Sequence, residues 1–242
     1  VFKNTKYMKT IIKKNDELTF EENVVFFHSD KTDSKNLFLS DEEVKYLKKE
    51  LKEEEDLNNA ILDELPYPAF HLLDLDYAFK SVSHGLFNKG KRVLPLMTAR
   101  GCPQTCTFCC RLMGFHLRER SVQNVMKEIH FLVNTYQIDE IYFEDDDFTN
   151  NRERALEIMR AIRDAKLPIS IKFANGLRAV NIDEELMVAI KEAGGYWLGF
   201  GIESGSQKVL EIMKKNLDLD TAKKNVALAK SLGFFVGANC IM

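Results

Sequence analysis

Residues 100–110 have the sequence Arg-Gly-Cys-Pro-Gln-Thr-Cys-Thr-Phe-Cys-Cys and hold four of the five cysteines of the 242-residue chain. Cys102, Cys106 and Cys109 have the spacing Cys-x3-Cys-x2-Cys. Thiolates are soft ligands that select iron–sulfur clusters or zinc. Zinc sites and ferredoxin clusters usually take four protein ligands, and no second cysteine pair or nearby histidine pair follows. Three neighbouring thiols therefore predict a cubane that keeps one iron open to another ligand.

Cys110 could be a fourth ligand, but a residue adjacent to Cys109 points away from it in most backbone geometries. Cys110 and Cys240 are therefore predicted to be small buried residues, because free cysteine packs as a small hydrophobe. An odd, clustered set in a chain without a signal-peptide pattern does not indicate a disulfide framework. It indicates a metal site in a reducing compartment, and the expected location is the cytoplasm.

From Arg92 onward the sequence alternates between short apolar runs and helical patterns. Alternation of this kind predicts an α/β fold with a parallel sheet and right-handed crossovers. The expected strands are Val93–Thr98, Ile138–Phe143, Ile169–Ala174, Tyr196–Ile202 and Phe234–Met242. The expected helices begin at Ser121, Arg152 and Asp183, and two more cover residues 206–214 and 220–232.

Polar residues follow the first four of these strands. They are the cysteines, Glu144 to Asp147, Asn175 with Arg178, and Glu203 with Ser204. The carboxyl ends of parallel strands lie at one edge of a sheet, where ligands usually bind. The sequence therefore predicts that these four segments form one site.

The chain divides into three predicted parts. Residues 1–60 form a small N-terminal α+β extension of uncertain fold, in which Ser40 and Glu43 have the spacing of a capping box. Residues 61–91 form a linker, because Pro66 and Pro68 favour extended backbone. Residues 92–242 form the core.

Charge and hydropathy exclude some classes of protein. The formal net charge is −3, so no basic footprint for DNA is present. No apolar run approaches the ~18 residues that cross a bilayer, so no membrane span is expected.

Five ordered motifs resemble the radical S-adenosylmethionine superfamily, in particular its cobalamin-dependent and methylthiotransferase-like branch. The resemblance covers about residues 92–242. The motifs are Arg100-Gly101-Cys102-Pro103 with its cysteines, Arg118–Ser121, Tyr142–Asp146, Gly176–Ala179 and Gly201–Gly205.

This resemblance implies a partial (β/α) barrel and the two cofactors of the family. Cys102, Cys106 and Cys109 would ligate a [4Fe–4S] cluster, whose open iron the amino and carboxylate groups of S-adenosylmethionine would chelate. The enzyme would reductively cleave this cofactor to a 5′-deoxyadenosyl radical that modifies an unknown substrate, with methyl or methylthio transfer among the reactions. The implied cofactor contacts are Phe108, Glu144, Asp145, Asp146, Arg178, Glu203 and Ser204, and no catalytic residue is assigned.

The sequence departs from the family pattern in length. About five of six strand–helix units are present, so we expect a fragment of a longer polypeptide. Cobalamin is expected only in such a longer parent chain. The expected partners are the substrate, small or macromolecular, and an electron donor such as flavodoxin or ferredoxin. A non-enzymatic iron–sulfur protein for electron transfer or scaffolding, and a structural zinc module, are the alternatives.

Overall fold

A computed structural model describes residues 62–80, 84–110 and 112–241. The extension predicted over residues 1–60 lies outside these ranges. Seven strands and six α-helices occur in the described residues. The strands are β1 (Val93–Leu96), β2 (Ala99–Arg100), β3 (Arg118–Glu119), β4 (Glu140–Phe143), β5 (Ser170–Leu177), β6 (Gly195–Glu203) and β7 (Phe235–Cys240). The helices are α1 (Leu75–Ala78), α2 (Val122–Tyr136), α3 (Arg152–Ala165), α4 (Glu184–Glu192), α5 (Gln207–Ile212) and α6 (Leu219–Ser231).

Five of the strands form one parallel sheet in the order β1-β4-β5-β6-β7. Each strand pairs with the next along this order, and helices connect them. The predicted partial barrel with parallel strands is confirmed. The small antiparallel ribbon of β2 and β3, which brackets the cysteine loop, was not predicted.

Side-chain caps fix the starts of the main helices. The side chains of Ser121, Asn151, Asp183 and Asp218 each accept a hydrogen bond from the backbone N–H three residues later. Capping of this kind satisfies N–H groups that have no partner within the helix. It explains why helix starts predicted at Ser121, Arg152 and Asp183 lie within one residue of those observed.

An apolar layer joins the outer helices to the sheet. Its largest fully buried members include Phe143, Phe173, Phe200, Ile129 and Met159. Phe143 stacks on Phe173 with ring centroids 4.7 Å apart. Burial of apolar area is the main stabilising term of such a fold, and it fixes the strand ends relative to one another.

The region predicted as an extended linker is partly helical. Short 3-10 turns occur at Leu62–Glu64 and Phe70–Leu72, followed by α1. Phe70 is buried against the core and contacts the ring of Tyr136. Among the described residues, no helix is long and apolar enough to cross a membrane.

Candidate active site

The cysteine loop, residues 101–117, follows β2 and is attached on two sides. Gly101 N donates to Asp146 Oδ2 at 3.0 Å, which joins the loop to the exit of β4. Thr107 N donates to Met213 O at 2.9 Å, which joins it to the turn after α5. Both neighbours lie at the carboxyl side of the parallel sheet, so the loop lies where the sequence predicted the site.

The three spaced cysteines differ in exposure. Cys106 is buried, Cys102 is half-buried and Cys109 is exposed. Burial raises the pKa of the Cys102 thiol, and the nearby Asp147 carboxylate acts in the same direction. Iron binding at this position would therefore release a proton, because the metal ligand is the thiolate.

The predictions of burial for Cys110 and Cys240 are wrong, because both are exposed. Cys110 lies in a turn closed by Leu112 N, which donates to Cys110 O. Cys240 is the last residue of β7 and lies opposite Glu203, where a register shift ends regular pairing. Neither thiol is buried by side chains of the described residues.

Asp145 is a structural acceptor rather than an open contact. It is buried, and its two oxygens accept from Thr98 N, Thr98 Oγ1 and Ala99 N. Burial raises its pKa to about 6, against the effect of these hydrogen bonds. Because both oxygens are occupied, this placement argues against the predicted contact between Asp145 and the cofactor. It also explains why β1 ends at Leu96, two residues before the predicted end.

The other two acidic candidates of this segment face different partners. Glu144 Oε1 lies 2.9 Å from His84 Nδ1, and both side chains are partly exposed. Asp146 is exposed and uses Oδ2 to accept from Gly101, while Oδ1 has no hydrogen-bond partner among the described residues. Asp146 therefore combines proximity to the cysteine loop with an available oxygen.

Arg178 and Asp147 form a buried polar group beside Cys102. Arg178 Nη2 donates to Asn216 O at 2.6 Å. Asp147 Oδ2 and Arg178 Nε are both buried without a hydrogen-bond partner in the described part of the chain. Burial raises the pKa of Asp147 to about 6, and the guanidinium of Arg178 acts in the opposite direction.

Glu203 lies at the end of β6 with a left-handed φ of 63°. Its Oε1 is 3.1 Å from the ammonium of Lys215. Lys215 Nζ also lies 5.9 Å from the centroid of the Phe108 ring. The Ser204 hydroxyl oxygen accepts from Ser206 N at 3.2 Å and can still donate its own proton. Lys215 therefore links Glu203, at the end of β6, to Phe108 of the cysteine loop.

Sequence reasoning missed His84 and Lys215 as members of this region, and it did not include Asp147 among the cofactor contacts. Asp147 belongs to the acidic run Glu144 to Asp147, and its place after the second predicted strand was the available signal. Lys215 directly follows the helical pattern predicted over residues 206–214. His84 lies in the predicted linker, and nothing in its local sequence indicates that it reaches Glu144.

The donor set of the loop consists of cysteine thiols, which are soft ligands that bind iron–sulfur clusters or zinc. Within the described ranges, no three His, Cys, Asp or Glu side chains converge as ligands of one metal ion. A single ion needs its ligands around one centre, whereas the cysteines of a cubane bind different irons. Three thiols on one loop, with a buried cation and unsatisfied polar atoms beside them, suit a cubane with a polar organic ligand.

Comparison with known proteins gives a consistent family. The family model described as Radical SAM superfamily matches residues 96–242. Cytidylyl-2-hydroxyethylphosphonate methyltransferase of Streptomyces wedmorensis is 38% identical over 179 residues, which cover 72% of this chain and 33% of the relative. An uncharacterized methyltransferase of Pyrococcus horikoshii is 36% identical over 175 residues, which cover 71% and 36%. The chain thus spans about a third of the length of these relatives.

Solved structures share the fold. The cobalamin-dependent S-adenosylmethionine radical enzyme OxsB, with aqua-cobalamin and S-adenosylmethionine bound, superposes with a TM-score of 0.62 at 22% identity, covering 82% of this chain and 32% of OxsB. The radical S-adenosylmethionine methyltransferase TsrM from Kitasatospora setae superposes with a TM-score of 0.55 at 17% identity, covering 60% and 29%. At these identities the likeness concerns the fold alone.

Proposed function

The chain belongs to the radical S-adenosylmethionine superfamily, whose enzymes use a [4Fe–4S] cluster and S-adenosylmethionine, and we propose that Cys102, Cys106 and Cys109 are its cluster ligands. The observation that carries this proposal is the attachment of their loop to the exit of β4 through Asp146 and to the turn after α5 through Met213. When bound and reduced, the cluster supplies the electron that cleaves the cofactor to methionine and a 5′-deoxyadenosyl radical. The protein contributes orientation and exclusion of competing reactions.

The side chains around the loop divide the recognition of the cofactor between them. Asp146 accepts from the ammonium of the methionine moiety with its available Oδ1, since a carboxylate forms strong hydrogen bonds with an ammonium. Arg178 neutralises the carboxylate of that moiety. Glu203 and Ser204 hold ribose hydroxyls, and Phe108 packs beside the adenine. Glu144, which is paired with His84, faces a different part of the site.

The type of reaction that we propose is methyl transfer. Two relatives that match about 70% of this chain carry methyltransferase names, and a third is named a putative methylthiotransferase. The similar structures contain cobalamin. A longer parent chain would supply the cobalamin-binding part, and a flavodoxin or ferredoxin in a reducing cytoplasm would supply electrons.

The test uses the four neighbouring cysteines as a matched set. The chain is reconstituted anaerobically with iron and sulfide, and iron content and EPR spectrum are measured before and after addition of S-adenosylmethionine. Alanine at Cys102, Cys106 or Cys109 should abolish the cluster, whereas Cys110→Ala should retain it. Dithionite should then release 5′-deoxyadenosine from the wild type and from Cys110→Ala only.

Two results would reject the proposal. Iron retained by the triple alanine variant would show that other residues bind it. A fully loaded cluster whose EPR spectrum ignores S-adenosylmethionine would instead indicate an electron carrier or scaffold.

A further inference from the structure

The parallel sheet has two faces with different surroundings. Phe173 and Leu198, which pair across β5 and β6, belong to the apolar layer beneath the helices. Side chains alternate between the faces along a strand, so the neighbouring pair Lys172 and Trp197 lies on the opposite face. Tyr142, which pairs with Lys172, lies there as well. We call this second face the inner face of the sheet.

Trp197 brings an unpaired hydrogen-bond donor to the inner face. Its side chain is only 7% exposed, yet its Nε1 has no hydrogen-bond partner among the residues that the structure describes. A buried indole N–H usually has an acceptor. Nε1 lies beside Gly237 of β7, where a Cβ would be 3.5 Å from it. Because glycine has no side chain, the space next to this donor is left open for an acceptor from a ligand.

The connector before β1 brings two acceptors to the same face. A Cβ on Gly85 would lie 3.5 Å from Ala174 Cβ and 3.9 Å from Trp197 Cζ2, so this segment packs on the inner face. The preceding residue, His84, places Nδ1 2.9 Å from Glu144 Oε1. An ionised carboxylate only accepts, so Nδ1 donates, and Nε2 of the neutral imidazole is an acceptor. Neither His84 Nε2 nor Glu144 Oε2 has a hydrogen-bond partner in the described part of the chain.

One donor and two acceptors define the ligand that this arrangement would bind. A single N–H suits one oxygen of a carboxylate, whereas phosphate groups are usually held by several N–H groups or by a guanidinium fork. The end at His84 carries the negative charge of Glu144, so it suits a hydroxyl donor and repels a second anion. The complementary ligand therefore has a carboxylate at Trp197 and a hydroxyl at His84.

We propose that Trp197, His84 and Glu144 recognise a hydroxycarboxylate group of the substrate. Trp197 Nε1–H donates to the carboxylate, His84 Nε2 accepts from the hydroxyl, and Glu144 holds the imidazole in the required tautomer. This inference rests on the proposed function, because only an enzyme of this kind has a substrate to recognise. It assigns the choice of substrate in part to His84, which precedes the range that the family model matches.

The experiment uses Trp197 as its own probe. It is the only tryptophan of the chain, so 15N labelling of the indole nitrogen gives a single N–H signal in NMR spectra of the reconstituted protein. Three small molecules are titrated at about pH 8, where imidazole is ordinarily neutral. Lactate carries both groups, propionate lacks the hydroxyl, and 2-propanol lacks the carboxylate.

Lactate should shift the indole signal downfield and slow the exchange of its proton with solvent. It should bind about tenfold more tightly than propionate, because only lactate gains the second hydrogen bond. The alcohol 2-propanol should leave the indole signal unchanged. In His84→Phe, which keeps a ring but removes the acceptor, lactate should bind as weakly as propionate.

Two glycine positions give a matched pair of variants. Gly237→Ala should abolish the lactate response, because its Cβ would occupy the space next to Nε1. That Cβ meets its neighbours at ordinary contact distances and Gly237 has no left-handed φ, so the fold should be retained. Gly205→Ala places a Cβ where nothing lies within 4 Å, so its indole signal should respond to lactate as in the wild type.

An indole signal that ignores lactate in the wild type would overturn the proposal and leave the cluster ligands untouched. Equal affinity for lactate and propionate would overturn it too, as would unchanged lactate affinity in His84→Phe. If lactate shifted the signal but the protein released no 5′-deoxyadenosine with dithionite, the proposed function would fail, and the contact would no longer be one with a substrate.

Discussion

Substitution of Asp145 and of its neighbour Asp146 by alanine should have very different effects on stability. Asp145 is buried and accepts three hydrogen bonds from Thr98 and Ala99. Asp146 is exposed and accepts one, from Gly101. The two side chains are chemically identical and adjacent, so the comparison isolates the effect of their surroundings.

The expected cost follows from the donors that lose their acceptor. Asp145→Ala leaves the N–H groups of Thr98 and Ala99 buried without a partner, at about 1–3 kcal/mol each. The Thr98 hydroxyl can rotate towards another acceptor. We therefore expect a loss of about 4 kcal/mol in the free energy of unfolding. Asp145→Asn keeps one oxygen for both N–H groups and no longer buries a charge, so it should cost about 1 kcal/mol.

The assay is urea unfolding of the metal-free chain, followed by far-ultraviolet circular dichroism under reducing conditions. Asp146→Ala serves as the control and should change stability by less than about 0.5 kcal/mol. Iron content after reconstitution is the second measurement, and it should fall in Asp145→Ala because Thr98 and Ala99 lead into the cysteine loop. Equal stability of the two alanine variants would refute the role assigned to Asp145.

Three further predictions concern single contacts. Gly101 has a φ of 88°, and a Cβ there would lie 2.2 Å from the His116 carbonyl oxygen. Gly101→Ala should therefore lower the free energy of unfolding by about 3 kcal/mol, as measured by urea unfolding, and should reduce the iron content after reconstitution. Tyr196 donates its hydroxyl proton to Glu140 Oε1 at 2.8 Å. Tyr196→Phe should therefore lower the free energy of unfolding by about 1–2 kcal/mol in the same assay. An unchanged unfolding midpoint would contradict the contact. Burial raises the pKa of Asp147 from 3.8 to about 6. Between these two pH values the folded state binds a proton that the unfolded state does not, so the contribution of Asp147 to the free energy of unfolding should rise as pH falls through this window. Asp147→Asn should lack that contribution in unfolding curves recorded across the same pH range.

The sequence predicted the features that depend on local patterns. Apolar periodicity and capping residues such as Asp183 act within a few positions, so the strand–helix order and most helix starts could be predicted. The convergence of Glu203, Arg178 and the cysteines at one edge follows from parallel topology alone. The identity of the elements and their order therefore needed no knowledge of long-range contacts.

The details of the site depend on contacts between distant residues, and these have no local signature. Asp145 and Asp146 are alike in sequence, yet one is occupied by Thr98 and Ala99 and the other keeps an open oxygen. Lys215 joins Glu203 only because the turn after α5 returns to the end of β6. Hydrogen-bond partners so far apart along the chain cannot be assigned from spacing.

The connector before β1 shows why the motifs identify the cofactors rather than the substrate. Residues 84–92 lie outside the range that the family model matches, yet they pack on the sheet. A Cβ on Gly85 would lie 3.8 Å from Lys172 Nζ, and the centroid of the Phe87 ring lies 5.1 Å from that of Trp197.

Buried Glu140 holds this segment in place, because it accepts from Lys89 N at 2.7 Å and Gly90 N at 2.6 Å. The same segment brings His84 to Glu144 at the carboxyl side of the sheet. Residues from outside the range that the family model matches therefore lie beside Glu144, next to the proposed cofactor site. Because the family motifs do not include these residues, two members with the same cysteine loop can accept different substrates.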